Sequence, residues 1–294
     1  MTGTSRALAA VHGWLLLLPA AVLLVGFTHY PIVATLVNSV LSTPRGGRPA
    51  AFVGLDNYRA VLADPVFWQV MRNNLAFSAG TIPASLALAL LMATWVNGRL
   101  PARGLVRLAY FTPTILPMVA VANIWLFFFT PQLGLLDQLR ALLGAPAHNW
   151  LGDAHTALGC LIVMTVWKEA GFFMIFYLAA LQHLPADLRE AAAVEGTRPW
   201  TFFRRVTVPL LMPTTLFVLV NATLNSFKLV DQLFILTKGG PDNASNLLLY
   251  YIYEVAFGWN DRAYAAVLTV VLLLILAGLA VAQFTLVERR VHYR

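Results

Sequence analysis

Four charged residues stand in stretches that are otherwise almost entirely hydrocarbon. Lys168 and Glu169 are adjacent in "TVWKEAGFFM", and Lys228 and Asp231 lie close together in "NATLNSFKLVDQLF". A charge in an apolar medium is costly without a partner, so each needs a use. The charges can neutralise one another, Lys168 with Asp231 or Lys228 with Glu169, as glue between helices. They can couple an ion to a solute. They can also line the path of a hydrophilic solute, where a lysine ammonium is a strong point-charge partner for phosphate. On a continuous helix Asn221, Asn225, Lys228 and either Asp231 or Gln232 recur at helical spacing, which places them on one stripe.

Covalent chemistry finds no comparable set of residues. The sequence contains no G-x-x-x-x-G-K-[ST] phosphate loop, no G-x-S-x-G elbow and no H-E-x-x-H pair. "TKGGP" reads as a turn, not a nucleotide site. His12, His29, His148, His155, His183 and His292 are scattered, so no metal site is expected. The single cysteine, Cys160, allows neither an internal disulfide nor a multi-cysteine metal site. The expectation is a protein with no catalytic residues.

Charge gathers differently in "LPADLREAAAVEGTRPWTFFRRVTVPLLMP", residues 184–213. Asp187 with Glu190 three residues on reads as a carboxylate variant of the capping box, and "LREAAAVE" is rich in helix formers. Gly196 suits the position just past a helix end. Thr197 can cap a second helix, with Pro199 in its first turn, where a missing N–H costs nothing. The expectation is helix–glycine–helix lying on a membrane surface. Ala191, Ala192 and Ala193 are small enough to let another backbone approach. On local physics alone this is equally a well-capped connector.

The elements that must position these residues belong to a bilayer. Hydrophobic residues make up 59% of the 294 and charged residues only 11%, against about 25% charged in a soluble domain, and the mean hydropathy is +0.72. A crossing helix needs about 20 apolar residues. Six segments qualify: 12–42, 70–97, 107–130, 157–183, 210–237 and 262–287. The first resembles a signal peptide at Arg6 and "WLLLLPAAVLLVGF" but lacks a clear cleavage site, so it reads as a retained span, kinked or tilted by Pro19 and Pro31. Pro113 and Pro117 break the third, which implies neighbours that satisfy the freed backbone groups. "FVGLDNYRAVLADPVFWQVMRNN" predicts short helices on the outer face, with Tyr58, Phe67 and Trp68 at the interface. The fold class is all-α, one transmembrane domain over residues 1–294.

Orientation follows from the basic residues. With the N-terminus cytoplasmic, Arg6, Arg99, Arg103, Arg107, Arg189, Arg198, Arg204, Arg205, Arg289, Arg290 and Arg294 are inside. Arg45, Arg48, Arg59, Arg72, Arg140, Lys238 and Arg262 are outside. Once acids are counted, the whole net charge of +7 falls on the inner face. Both termini and the 184–213 loop are then cytoplasmic. Basic residues spread over helix ends answer to topology, so no nucleic-acid partner is expected.

"EAAAVEGTRPWTFFRRVTVPLLMP" resembles the EAA loop of ABC importer permeases: Glu190-Ala191-Ala192, then Gly196, then Val208-Pro209, with Pro213 following. Glu195 stands where that family usually has Asp, and Thr197 where it often has Ala. "FVGLDNY", "WKEAGFFMIFYLAALQHLP", "LTKGGP" and "YYIYEVAF" extend the resemblance to the carbohydrate-uptake permeases over nearly the whole chain. "HNW" and "QFTLVERRVHYR" are most similar to the glycerol-3-phosphate type. The resemblance implies that the loop docks in a cleft of an ATPase subunit through Glu190, Ala191, Ala192, Glu195, Gly196, Arg204 and Pro209. It implies that Trp167, Lys168, Glu169, Phe172 and Ser226 fall at positions lining the solute path, beside the stripe residues Asn221, Asn225, Lys228 and Asp231. It further implies a second homologous permease subunit, two copies of the ATPase carrying ATP and Mg, an extracytoplasmic solute-binding protein, and a place in the bacterial inner membrane. No cofactor is expected on this chain. A self-sufficient secondary transporter is the rival reading, and the sequence shows no paired broken helices to support it.

Overall fold

The computed structural model describes residues 3–44, 46–98 and 101–288. Arg45, Arg99, Arg289, Arg290 and Arg294, used above for orientation, lie outside them, as does His292. The described residues are helical apart from loops and one isolated antiparallel bridge between Leu41 and Phe52. Four helical stretches can cross a bilayer: His12–Ser39, Pro65–Asn97, Ala157–Gln182 and Arg262–Thr285. Two bent pairs bring the number to six if each crosses once. The chain divides into two compact units, residues 1–64 with 252–271, and residues 65–251 with 272–294.

The first unit holds α1 (Gly3–Leu24), α2 (Tyr30–Ser39) and α3 (Asp56–Ala63). A wide π turn, Val25–His29, joins α1 to α2 just before Pro31. Proline lacks the amide for its turn and crowds the carbonyl four residues back, and a π turn relieves both. Trp14, Leu16 and Phe27 are outward-facing on this span, at 73%, 82% and 81% exposed; such a surface needs an apolar solvent. The end of α2 is pinned by side chains: Asn57 Nδ2 donates to the carbonyls of Ser39 and Leu41 at 2.9 and 2.8 Å, and Tyr58 Oη meets Ser39 Oγ at 2.8 Å. Tyr58 is thus a packing residue. Phe67 and Trp68 are not on a separate outer helix, because the helix beginning at Pro65 runs on to Asn97 without a stop. Phe67 is buried, and Trp68 is half exposed.

The second unit is organised by α4 (Pro65–Asn97) against α8 (Ala157–Gln182). Thr81, Ser85, Ala89 and Ala93 recur every fourth residue of α4 and are fully buried. Small side chains at that spacing let two helices approach closely in a membrane. One apolar cluster joins Ala89, Ala93 and Val96 to Phe173, Met174 and Tyr177 of α8.

The third span is two helices, α5 (Arg103–Ile115) and α6 (Met118–Phe129), meeting at 99°. Leu116 is extended (φ −69°, ψ 137°), as the residue before a proline tends to be. The connection to α8 contains α7 (Leu135–Leu142). There Asp137, only 3% exposed, accepts from the backbone amides of Gln132 (2.8 Å) and His148 (3.0 Å) and from Trp150 Nε1 (2.8 Å). The Gln132 amide leads in holding the Asp137 carboxyl below the usual carboxylate range, against the opposing effect of burial. A depressed carboxylate pKa adds stability above the group's ordinary pKa, and that stability is lost as pH falls through the lower, folded value. Asp137→Asn keeps the volume but turns an amide NH2 toward N–H donors. It is expected to lower the melting midpoint at neutral pH and to flatten the acid limb of a melting-against-pH profile. An unchanged acid limb would assign the pH dependence elsewhere.

Candidate functional site

The 184–213 segment leaves α8 after His183. α9 (Ala186–Val194) begins behind Pro185, which occupies the N-cap. Asp187 therefore stands inside the first turn and makes no capping bond, because the proline supplies the start that the capping box was expected to supply. The far end is closed by Gly196 at φ +65°. Its amide donates to Ala193 O at 3.2 Å and that of Thr197 to Ala192 O at 2.9 Å, a Schellman closure. Thr197 is used here by its backbone. The N-cap of α10 (Pro199–Phe202) is the extended Arg198, not Thr197.

Helix α10 continues through a π turn, Phe203–Thr207, into α11 (Val208–Leu210) and bends by 66° into α12 (Met212–Lys228). The wide turn again precedes a proline, here Pro209. Glu190, Ala191, Glu195, Gly196, Arg204 and Pro209 are all exposed, and Ala192 is half-buried. Trp200, 69% exposed, stacks on Phe203 with ring centres 5.6 Å apart. Between the inner face of α9 and the α10–α11 stretch lies a cavity of about 330 Å³ lined by Leu181, Pro185, Arg189, Glu190, Phe202 and Val206. The segment offers a short helix with an exposed acid, small residues behind it and a concave flank.

The intramembrane set divides. Helix α12 ends at Lys228, Leu229 is extended, and α13 (Asp231–Leu236) starts anew. The continuous stripe from Asn221 to Asp231 or Gln232 is therefore interrupted. Lys228 lies at the carbonyl end of one helix and Asp231 at the amide end of the next, where each sign of charge suits the helix dipole. Both are exposed. Gln232 is fully buried and donates from Nε2 to Thr165 Oγ1 at 2.8 Å. With the α5–α6 break, spans three and five are both interrupted, which the sequence reading did not pair.

Neither of the proposed ion pairs forms. Lys168 Nζ donates instead to the carbonyls of Pro113 and Leu116 at 2.9 and 2.7 Å. Glu169 of α8 interacts with the Asn225 side chain of α12. Asn221 turns its amide onto its own helix at Phe217 O, 2.8 Å away. Ser226 does not join this face. It is 3% exposed, bonds Thr223 O, and meets Ser78 Oγ of α4 at 2.9 Å. Trp167 is exposed at 39% with its edge on Trp125, and Phe172 stacks edge-on with Phe176. Trp167, Glu169, Asn225 and Lys228 keep open or half-open positions, whereas Ser226 and the Lys168 ammonium are committed to the protein.

Sequence reasoning missed Gly171. A Cβ there would fall on the carbonyl oxygen of Tyr110 in α5. The pairing of Pro113 and Pro117 with a glycine in "WKEAG" was the available signal.

A family model described as a binding-protein-dependent transport system inner membrane component matches residues 85–293. The lactose transport system permease protein LacF of Rhizobium radiobacter is 34% identical over 286 residues, 95% of each chain. The sn-glycerol-3-phosphate transport system permease protein UgpA of Agrobacterium fabrum is 32% identical, over 95% of this chain and 96% of that one. A crystal structure of a bacterial ABC transporter involved in import of the acidic polysaccharide alginate contains a chain that superposes with a TM-score of 0.82 at 21% identity, covering 97% of this chain and 99% of that one.

Proposed function

The chain belongs to the family of binding-protein-dependent transport system inner membrane components, and on that premise we propose that it is a non-catalytic permease subunit of an ATP-driven importer for a glycerol phosphate or glycerophosphodiester. Its relatives include both sugar and glycerol-3-phosphate permeases, so a neutral sugar is the rival solute. One observation favours the phosphate: Lys228 presents an exposed ammonium on the α12 face that carries Asn221 and Asn225. Lysine suits a phosphate as a point charge. A neutral sugar calls for hydrogen-bonding and aromatic groups, which Asn221, Asn225 and Trp167 also offer. Glu169 and Asp231 border the same path, and Phe172 and Ser226 support it from the packed side.

In this reading residues 1–294 form one permease domain with both termini cytoplasmic, paired with a second homologous permease. Two copies of an ABC ATPase bind ATP and Mg and grip the 184–213 loop through Glu190, Ala191, Ala192, Glu195, Gly196, Arg204 and Pro209. An extracytoplasmic binding protein delivers solute to the bacterial inner membrane. Closure of the ATPases moves the loop, and the bend between α11 and α12 carries that motion into the spans.

The test is uptake of radiolabelled sn-glycerol-3-phosphate and of lactose by the complex in proteoliposomes. Lys228→Ala is expected to raise KM for the phosphate about tenfold or more, the loss of one charge-assisted hydrogen bond, and to leave any lactose uptake unchanged. Equal effects on both solutes would remove Lys228 from phosphate recognition. Uptake by this chain without its ATPase would remove the importer reading altogether.

A further inference from the structure

We infer that Lys168 is a positioning residue: its ammonium replaces the amide hydrogen that Pro117 lacks and latches the broken third span onto α8. In an uninterrupted helix the carbonyl of residue 113 would accept from the amide of residue 117. Residue 117 is proline and has none to give. Leu116 is extended, so its own carbonyl also loses a helical partner. Lys168 Nζ reaches these two oxygens at 2.9 and 2.7 Å.

The surrounding geometry serves the same junction. Thr114 Oγ1 donates to Lys168 O at 3.3 Å, so the two backbones are tied in both directions. One turn further along α8, Gly171 has no Cβ to hold α5 away from it at Tyr110. A carbonyl end attracts a cation, and an unmet carbonyl in hydrocarbon is costly. The 99° bend between α5 and α6 is thus held by a side chain from another span. A lysine with two of its three donors spent in this way is a fixed part of the wall; the solute meets other groups.

The decisive experiment restores the missing hydrogen by a second route. Lys168→Met removes the ammonium, and Pro117→Ala returns an amide N–H to residue 117. In the complex purified from membranes, Lys168→Met is expected to lower the melting midpoint by several degrees and any uptake about tenfold. That loss should be the same for sn-glycerol-3-phosphate and lactose, and should fall on the maximal rate rather than on KM. Pro117→Ala in the Lys168→Met background should recover most of the midpoint, and Lys168→Arg should retain it. Two results would overturn the latch: no recovery by Pro117→Ala, or a Lys168→Met defect confined to KM for the phosphate. The melting arm reads the latch even if neither solute is carried, so the solute assignment and the latch fail separately.

Discussion

Gly171→Ala is expected to abolish the folded permease, although it adds a single methyl group. That methyl would be driven onto the backbone carbonyl oxygen of Tyr110. A flexible side-chain neighbour could swing away. A carbonyl on α5 cannot move unless α5 moves with it. Helix α5 is held by Lys168 at Pro113 and Leu116 and by Thr114 at Lys168 O. Relief at Tyr110 therefore strains bonds less than two turns away. Overpacking a tight contact costs about 1–3 kcal/mol and occasionally more, and loss of the charged hydrogen bonds adds to it. An excess of about 1.4 kcal/mol is already tenfold in population. The measurement is the fraction of chain eluting as a folded complex by fluorescence-detected size exclusion, expected to fall at least tenfold. Gly159→Ala on the same helix is the control, since nothing lies within 4 Å of its added Cβ; it should be neutral or slightly stabilising because alanine is the better helix former. If the two variants elute alike, the close crossing of α5 and α8 is not what Gly171 provides.

The crossing also shows where sequence was sufficient. Four of the expected spans were legible because hydrocarbon length is a one-dimensional property, and the expected 157–183 became Ala157–Gln182. Gly196 was legible because a helix end after "EAAAVE" needs a left-handed residue, and the chain there has φ +65°. What failed was whatever depended on local backbone geometry or on a partner distant in sequence. Asp187 and Thr197 have the right types for caps, but Pro185 and Arg198 take those positions through backbone geometry alone. The Asn221-to-Asp231 stripe assumed an unbroken helix. The break at Leu229 has no proline to announce it. Lys168 was read correctly as a charge in need of a partner. Its partners are backbone oxygens, which carry no residue-type signal, so the candidates were acids, a coupled ion and a solute.

The 184–213 loop gives a prediction in which strain and position can be separated. Gly196 holds φ +65°, and a Cβ there would meet nothing within 4 Å. Gly196→Val therefore costs no packing, only the left-handed conformation, about 1–2 kcal/mol for an L-residue and more for a β-branched one. The Schellman closure through Ala192 and Ala193 would open, and α9 would leave its present angle to α10. Glu190 and the small alanines would then no longer present one face to a partner. We expect Gly196→Val to leave the amount of chain in the membrane nearly unchanged, since the loop is exposed, and to cut co-purification of the ATPase and ATP-driven uptake at least tenfold. Gly144 supplies the matched control. It follows α7 at φ +71° with open space around it, and its amide and that of Ala145 close that helix onto Ala141 and Arg140. The backbone motif is the same, but it lies in the α6–α8 connection, away from the 184–213 segment. Gly144→Val should carry a similar conformational cost and keep ATPase co-purification at the wild-type level. Equal loss in both would mean that the chain is merely destabilised. Loss confined to Gly196→Val would tie the grip of the ATPase to the geometry that this glycine sets, and Glu190→Ala in the unstrained loop would then measure how much of that grip is carried by one carboxylate.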